Sequence, residues 1–251
     1  MTIELVLFRT GGVDILRKAF ASWLGADEGA ELAYQPVWSA LIRTPEGTIL
    51  FDTGLHPVHV ARPEATFGSN PSMRIVMREE DAIIARLGAL GVAPRDVTLV
   101  VNSHLHFDHA GNNRAFPNAT FLVQREHLAF AKGKPSFPAI YWDDPALTYM
   151  PLDGESRIAQ GVTAVPTPGH APGHQSLVVD LAETGRVVPC GDAAFTRENL
   201  ERGEVPQPDL AAAKESLERI RSLVGGDLDR AFPSHDQVTW ERLRHAPESY
   251  R

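Results

Sequence analysis

Asn102-Ser103-His104-Leu105-His106-Phe107-Asp108-His109-Ala110-Gly111 decides how this chain is read. It follows a Val-rich run, Val97–Val101, that predicts a strand, so the segment is expected as a loop at that strand's C-terminal end. His104, His106, Asp108 and His109 place four metal-ligand side chains within six residues. In an extended chain residues i and i+2 point the same way, so His104 and His106 are spaced to grip one ion together. Asp108 and His109 come where the chain turns toward a helix start, and they can aim at a neighbouring position. Imidazole nitrogen and carboxylate oxygen are borderline-to-hard donors that suit zinc, manganese or iron(II). Two histidines at i, i+2 arise readily by chance on a surface. An H-x-H-x-D-H string behind a buried strand does not.

Such a loop needs partners from elsewhere in the chain, and three stretches downstream offer them. His170 lies in Thr167-Pro168-Gly169-His170-Ala171-Pro172-Gly173-His174, after the predicted strand Val162–Pro166. Asp192 follows the predicted strand Arg186–Cys190, and His235 follows the short apolar run ending in Phe232-Pro233-Ser234. Each sits at a strand end, where an α/β scaffold presents its active site. The seven side chains are five histidines and two aspartates, enough for two divalent ions. His104, His106 and His170 would serve one ion and Asp108, His109 and His235 the other, with Asp192 bridging through its two oxygens. Paired ions would clamp a hydroxide between them and lower its pKa toward neutrality.

The remainder of the 251 residues bounds the answer. With 24 Lys+Arg against 32 Asp+Glu the net charge is −8, which argues against nucleic acid or an anionic membrane as partner. Hydrophobic residues make up 43% and charged residues 22%, ordinary for one globular domain spanning 1–251. No apolar run reaches the roughly 18 residues of a membrane span. A single cysteine, Cys190, forms no internal disulfide, and Met1–Phe8 lacks the basic start of a signal peptide, so a cytoplasmic protein is expected. Cys190 itself is expected as a buried, inert thiol, pointing to the same side of its strand as Asp192.

Further predicted strands are Ile3–Phe8, Val37–Arg43, Thr48–Asp52, Thr120–Val123 and Ser176–Asp180, with a tight hairpin at Glu46-Gly47. Helices are predicted over Glu79–Leu90, Glu126–Lys132 and Asp209–Val224, the last with Asp209 as N-cap. Thr10–Gln35, Leu55–Arg74 and Gly133–Met150 read as long loops carrying Trp23, Phe67, Phe137, Tyr141 and Trp142. This order suggests packed sheets with helices outside rather than a doubly wound nucleotide fold.

The metal strings, with Phe51-Asp52-Thr53-Gly54 upstream, resemble the metallo-β-lactamase superfamily over nearly the whole chain. Within it, the strings around His104, His170 and Asp192-Ala193-Ala194-Phe195-Thr196-Arg197-Glu198-Asn199 are most similar to N-acyl-homoserine lactone lactonases, which quench quorum signals. The resemblance implies an α/β (α+β) fold, a four-layer αβ/βα sandwich with a dinuclear metal site at the sheet edge. It implies two divalent ions, zinc first and manganese, iron or cobalt also compatible, and a small-molecule lactone substrate. It allows a homodimer. Asp108 and Asp192 are the expected catalytic carboxylates, with Asp108 also passing a proton to the leaving alkoxide. Asp52 and His174 are expected to orient ligands rather than bind metal. Phe107 and Phe195 are expected to line the substrate pocket. Lactonases of this type usually carry a tyrosine shortly after the bridging aspartate; here Phe195 keeps the ring and loses the hydroxyl. That leaves Tyr141 as one candidate to supply a donor, and it makes other lactones, esters or thioesters (pyridoxolactone-like or glyoxalase-II-like substrates) the alternative. A non-enzymatic metal sensor on the same scaffold would be signalled by a missing ligand.

Overall fold

Alternation along the strands sets the architecture of the computed structural model, which describes residues 2–251. The first sheet has seven strands: β1 Glu4–Leu16, β2 Leu32–Thr44, β3 Gly47–Phe51, β4 Met73–Val76, β5 Leu99–Val101, β6 Thr120–Gln124 and β7 Thr148–Leu152. Their order is β4-β1-β2-β3-β5-β6-β7. The second sheet has β8 Ser156–Ala159, β9 Val162–Pro166, β10 Gln175–Leu181, β11 Gly185–Pro189 and β12 Ala231–Phe232, in the order β12-β11-β10-β9-β8. The β1–β2–β3 pairs are antiparallel, whereas β3–β5–β6–β7 and β11–β12 are parallel.

Both faces of the central strands are apolar, the pattern of sheets covered on two sides. Leu5, Leu7, Ile49, Phe51 and Val101 meet Val162, Ala164, Leu177, Val179 and Val187 between the sheets. The residues in between, Val6, Phe8, Leu50 and Val100, face outward against Ile83 and Leu87. On the other side Val165, Val178 and Val188 pack under Leu200, Leu217 and Ile220. The layers are therefore helix, sheet, sheet, helix. Asp209 caps the helix Leu210–Leu223 by accepting from Ala212 N at 3.0 Å. Burying side chains such as Leu217 and Ile220 contributes about 1.5–3 kcal/mol each, which far outweighs local helix propensity.

Several elements depart from the sequence reading, and three of them show why. Much of the expected loop Thr10–Gln35 is strand: β1 and β2 run on in register from Gly12↔Pro36 to Leu16↔Leu32, past an irregularity at Arg9/Gly12. Gly12 is needed there because a Cβ would lie 2.4 Å from the Tyr34 ring. The predicted helix Glu79–Leu90 is split, because Ala82 is extended (φ −57, ψ 132) between a 3-10 turn and the helix Ile83–Ala89. The break seats the buried Asp81 carboxylate, which accepts from Arg78 N at 3.1 Å and pairs with Arg86 at 2.5 Å. Finally, β7 contains Pro151, which is tolerated because β7 is an edge strand.

The C-terminal residues return to β1. Leu5 N donates to Tyr250 O at 3.0 Å, Tyr250 N to Leu5 O at 2.8 Å and Ala246 N to Leu7 O at 2.8 Å. Among the described residues no helix is long and apolar enough to cross a membrane.

Candidate metal centre

Five strands end at one place and deliver their loops to it. Asp52 follows β3, Asn102–Gly111 follows β5, His170 follows β9, Asp192 follows β11 and His235 follows β12. Main-chain bonds tie the loops to one another. Thr53 N donates to His109 O at 2.7 Å, Gln175 N to Ser103 O at 3.0 Å and His235 N to Phe195 O at 2.9 Å.

All seven side chains singled out from the sequence converge. One group, capable of holding an ion, is His104, His106, His170 and Asp192; the other is Asp108, His109 and His235, with ligand atoms in each within 4.8 Å of one another. His106 Nδ1 lies 2.8 Å from His104 Nε2 and 3.0 Å from His170 Nε2, which is 3.2 Å from His104 Nε2. A tetrahedral zinc with bonds of about 2.0–2.1 Å spaces its nitrogen ligands about 3.3 Å apart, so these three already approach ligation geometry. Asp192 faces both groups. Its Oδ2 is 3.3 Å from His170 Nε2, and its Oδ1 is 3.1 Å from His109 Nε2 and 3.2 Å from His235 Nε2. Asp108 Oδ2 sits 3.7 Å from His109 Nε2 and 3.6 Å from His235 Nε2. His109 Nε2 and Asp192 Oδ1 are buried and have no hydrogen-bond partner. Buried polar atoms are rarely left unpaired, and two of them aimed at the same point fit cations there. The donor set and these orphan atoms indicate a dinuclear site for divalent metal.

The outer nitrogens are fixed from behind. Asp52 Oδ2 accepts from His109 Nδ1 at 2.7 Å and from Ser103 Oγ at 2.8 Å, and its Oδ1 accepts from Ser103 N at 2.7 Å. Asp52 adopts φ 56, a left-handed conformation that aspartate tolerates better than most residues. His235 Nδ1 donates to Pro36 O at 2.9 Å. His174 does not join the ligands; its Nδ1 donates to Thr167 O and its Nε2 accepts from Asp192 N, both at 2.9 Å. Burial would raise Asp192, but His109, His235 and His170 outweigh it and hold the carboxyl well below its ordinary value. Burial likewise opposes protonation of His109, yet the carboxylates of Asp192, Asp108 and Asp52 hold it well above the usual imidazole range. His104 and His106 are pushed well below that range, chiefly by burial and then by neighbouring imidazoles. The cluster thus keeps two imidazoles as neutral donors.

One local expectation is corrected. Cys190 is buried, but it joins the outer apolar cluster rather than the face shared with Asp192. Simple alternation ends because Gly191–Ala193 forms a 3-10 turn, with Gly191 at φ 54. A Cβ at Gly191 would lie 2.7 Å from Ser103 and 2.8 Å from His174 Nε2. The Tyr141 hydroxyl is 2.8 Å from Thr66 Oγ1, which also meets His59 Nε2 at 3.0 Å. Phe195 is 5% exposed, with its ring centroid 4.6 Å from Phe20, 5.6 Å from His170 and 6.1 Å from His235. Phe107 meets Phe67 edge-on at 4.8 Å. Trp142 is core, and Trp23 lies under the Arg202 guanidinium.

Two residues that carried no motif also serve the centre. His127 is buried, accepts from Leu105 N and donates to Pro172 O, both at 2.9 Å, and so clasps two ligand-bearing loops. Gln207 accepts from His170 Nδ1 at 2.7 Å.

Known proteins are similar to this chain over most of its length. The family described as Metallo-beta-lactamase superfamily matches residues 34–235. Over 257 aligned positions the chain is 37% identical to the N-acyl homoserine lactonase AiiA of Bacillus thuringiensis subsp. kurstaki, covering 99% of each chain. The N-acyl homoserine lactonase AttM of Azorhizobium caulinodans is 32% identical over 86% of this chain and 87% of its own. A solved N-acyl homoserine lactone hydrolase, with the product N-hexanoyl-L-homoserine bound at its catalytic metal centre, superposes with a TM-score of 0.90. It is 32% identical and is covered, like this chain, over 100% of its length.

Proposed function

The chain belongs to the metallo-beta-lactamase superfamily, and from that premise we propose that it hydrolyses the lactone ring of N-acyl-homoserine lactones. The observation that carries the reading is the convergence of His104, His106, Asp108, His109, His170, Asp192 and His235 in a chain similar to lactonases from end to end. His104, His106 and His170 would hold one divalent ion and Asp108, His109 and His235 the other, with Asp192 shared. Zinc suits this nitrogen-rich donor set first, and manganese, iron or cobalt are compatible. Bound there, the pair supplies a hydroxide nucleophile at neutral pH and Lewis-acid stabilisation of the developing oxyanion.

The protein's own groups do the rest. Water adds to the lactone carbonyl carbon, the ring C–O bond breaks, and the product is an N-acyl homoserine, a hydroxy acid. Asp108 would take up the proton that the adding water gives up and pass it to the departing ring oxygen. Asp192, fixed through its main-chain N–H by His174, keeps its two oxygens turned to the two ligand groups. Phe195 and Phe107 are the apolar side chains we assign to the substrate space, and neither offers a hydrogen bond to the lactone. The lone buried cysteine suits a reducing compartment, and we place the protein in the cytoplasm as one domain.

Proton release from short- and long-chain acyl-homoserine lactones, followed with metal-loaded and chelator-stripped protein, tests the reading. Ring opening that disappears with the metal is the expected result. No turnover by protein that holds two ions would reject this substrate class. The missing hydroxyl of Phe195 favours a second reading in that event, hydrolysis of another lactone or ester on the same centre.

A further inference from the structure

The two ligand groups are backed in contrasting ways. Behind His109 stands a carboxylate, Asp52. Behind His170 stands a carboxamide: Gln207 Oε1 is 2.7 Å from His170 Nδ1, while Gln207 Nε2 donates to the main-chain oxygen of Asp192, also at 2.7 Å. The second bond decides the first. Only the amide NH2 can donate to a carbonyl, so the amide oxygen must face His170. An oxygen there accepts, so Nδ1 of His170 carries the proton and Nε2 keeps its lone pair. Nε2 is the atom that faces His104, His106 and Asp192. Gln207 is 7% exposed and lies between Pro206 and Pro208, and the neighbouring Asp209 N donates to Gly169 O at 3.2 Å. The loop is therefore strapped to the residue next to His170.

Charge separates the two groups further. His104 Nδ1 meets the Ser103 hydroxyl at 3.0 Å, a neutral partner whose proton goes to Asp52. Among the described residues, Asp52 thus reaches the group of His104, His106 and His170 only through Ser103, and the group has no carboxylate except the shared Asp192. The other group has Asp108 of its own and Asp52 behind His109. A carboxylate behind an imidazole raises its basicity toward a metal more than an amide does. A glutamate at 207 would not substitute, because its second oxygen would oppose the Asp192 carbonyl.

We propose that Gln207 is a positioning residue that fixes the His170 tautomer, and that the ion held by His104, His106 and His170 is the weaker bound of the two. The inference rests on the dinuclear reading above. The test is dialysis of holoprotein against graded chelator with metal analysis of the retained protein. Wild type is expected to lose its ions in two steps. Gln207→Leu should move the first step by about 10–100-fold in chelator concentration and the second by much less, whereas Asp52→Asn should move the second. The metal-free Gln207→Leu chain should still melt in one cooperative step, a few degrees below wild type for the two buried hydrogen bonds it loses, and Gln207→Met serves if it does not fold. Simultaneous loss of both ions by wild type, or equal shifts of both steps in Gln207→Leu, overturns the inference and leaves the dinuclear reading standing. A wild-type chain that takes up no ion overturns that reading as well.

Discussion

At the floor of the centre Asp52 accepts three hydrogen bonds of 2.7–2.8 Å from Ser103 and His109, whereas at its rim the Phe195 ring meets Phe20, His170 and His235 only through ring-to-ring packing. The floor is set by directional bonds between groups that have no alternative partner once buried. The rim is set by shape, and shape tolerates exchange among side chains of similar volume. Floor substitutions should therefore change whether the centre exists, and rim substitutions should change how well it works.

The largest effect should follow loss of a carboxylate among the ligands that the floor holds in place. Asp108→Ala is expected to lower lactone turnover by at least on the order of 10³-fold, together with metal content below two ions per chain. An Asp108→Ala protein with full metal and full rate would erase the distinction.

Next comes His127, whose burial pushes it down to about 4. Its Nε2 accepts from Leu105 N, so protonation would set two donors against each other. The folded value lies below the unfolded value of about 6.5, so stability is unaffected above pH ~6.5 and is lost as pH falls toward 4. The full loss is about 3 kcal/mol, from roughly 1.4 kcal/mol per pH unit over that window. Metal-free His127→Gln should lack this part of the acid sensitivity, which denaturant melts of both proteins at pH 7 and pH 4.5 would reveal.

At the rim, Phe195→Tyr restores a donor beside the centre and is expected to raise kcat about tenfold with metal content unchanged. A drop in kcat would mean that the apolar contact with Phe20 matters more than the hydroxyl. Smallest of all, Phe67→Ala should raise KM for long-chain substrates about fivefold, roughly 1 kcal/mol of lost apolar contact, and leave kcat alone. A matching fall in kcat would move Phe67 from rim to floor.

The same contrast explains what could be read from the chain. His104, His106, Asp108 and His109 announce themselves by spacing within one loop, and His170, Asp192 and His235 by following strands. The apolar run Leu5-Val6-Leu7-Phe8 marks a strand, and the structure covers both of its faces. Gln207 and His127 were not legible, because their partners lie 37 residues away at His170, and 22 and 45 residues away at Leu105 and Pro172. A glutamine between prolines and a histidine in a short helix carry no local signal of such contacts. The strand content of Thr10–Gln35 was hidden by Gly11-Gly12 and Pro36, which read as breakers until β1 and β2 pair around them. The side on which Cys190 lies was misjudged because a turn at Gly191 interrupts the strand's period.

The tail that returns to β1 bears on the protein's behaviour in a crowded solution. β4 pairs with β1 only from Gly12 to Ile15, so Leu5 and Leu7 would otherwise present free main-chain groups beside a run of large apolar side chains. Ala246 and Tyr250 occupy those groups, and Tyr250 rests on Phe232 with ring centroids 5.3 Å apart. An uncovered apolar edge of this kind is a template for another copy's strand. A chain clipped just ahead of Ala246 would keep every metal ligand and leave these main-chain groups of Leu5 and Leu7 without their partners.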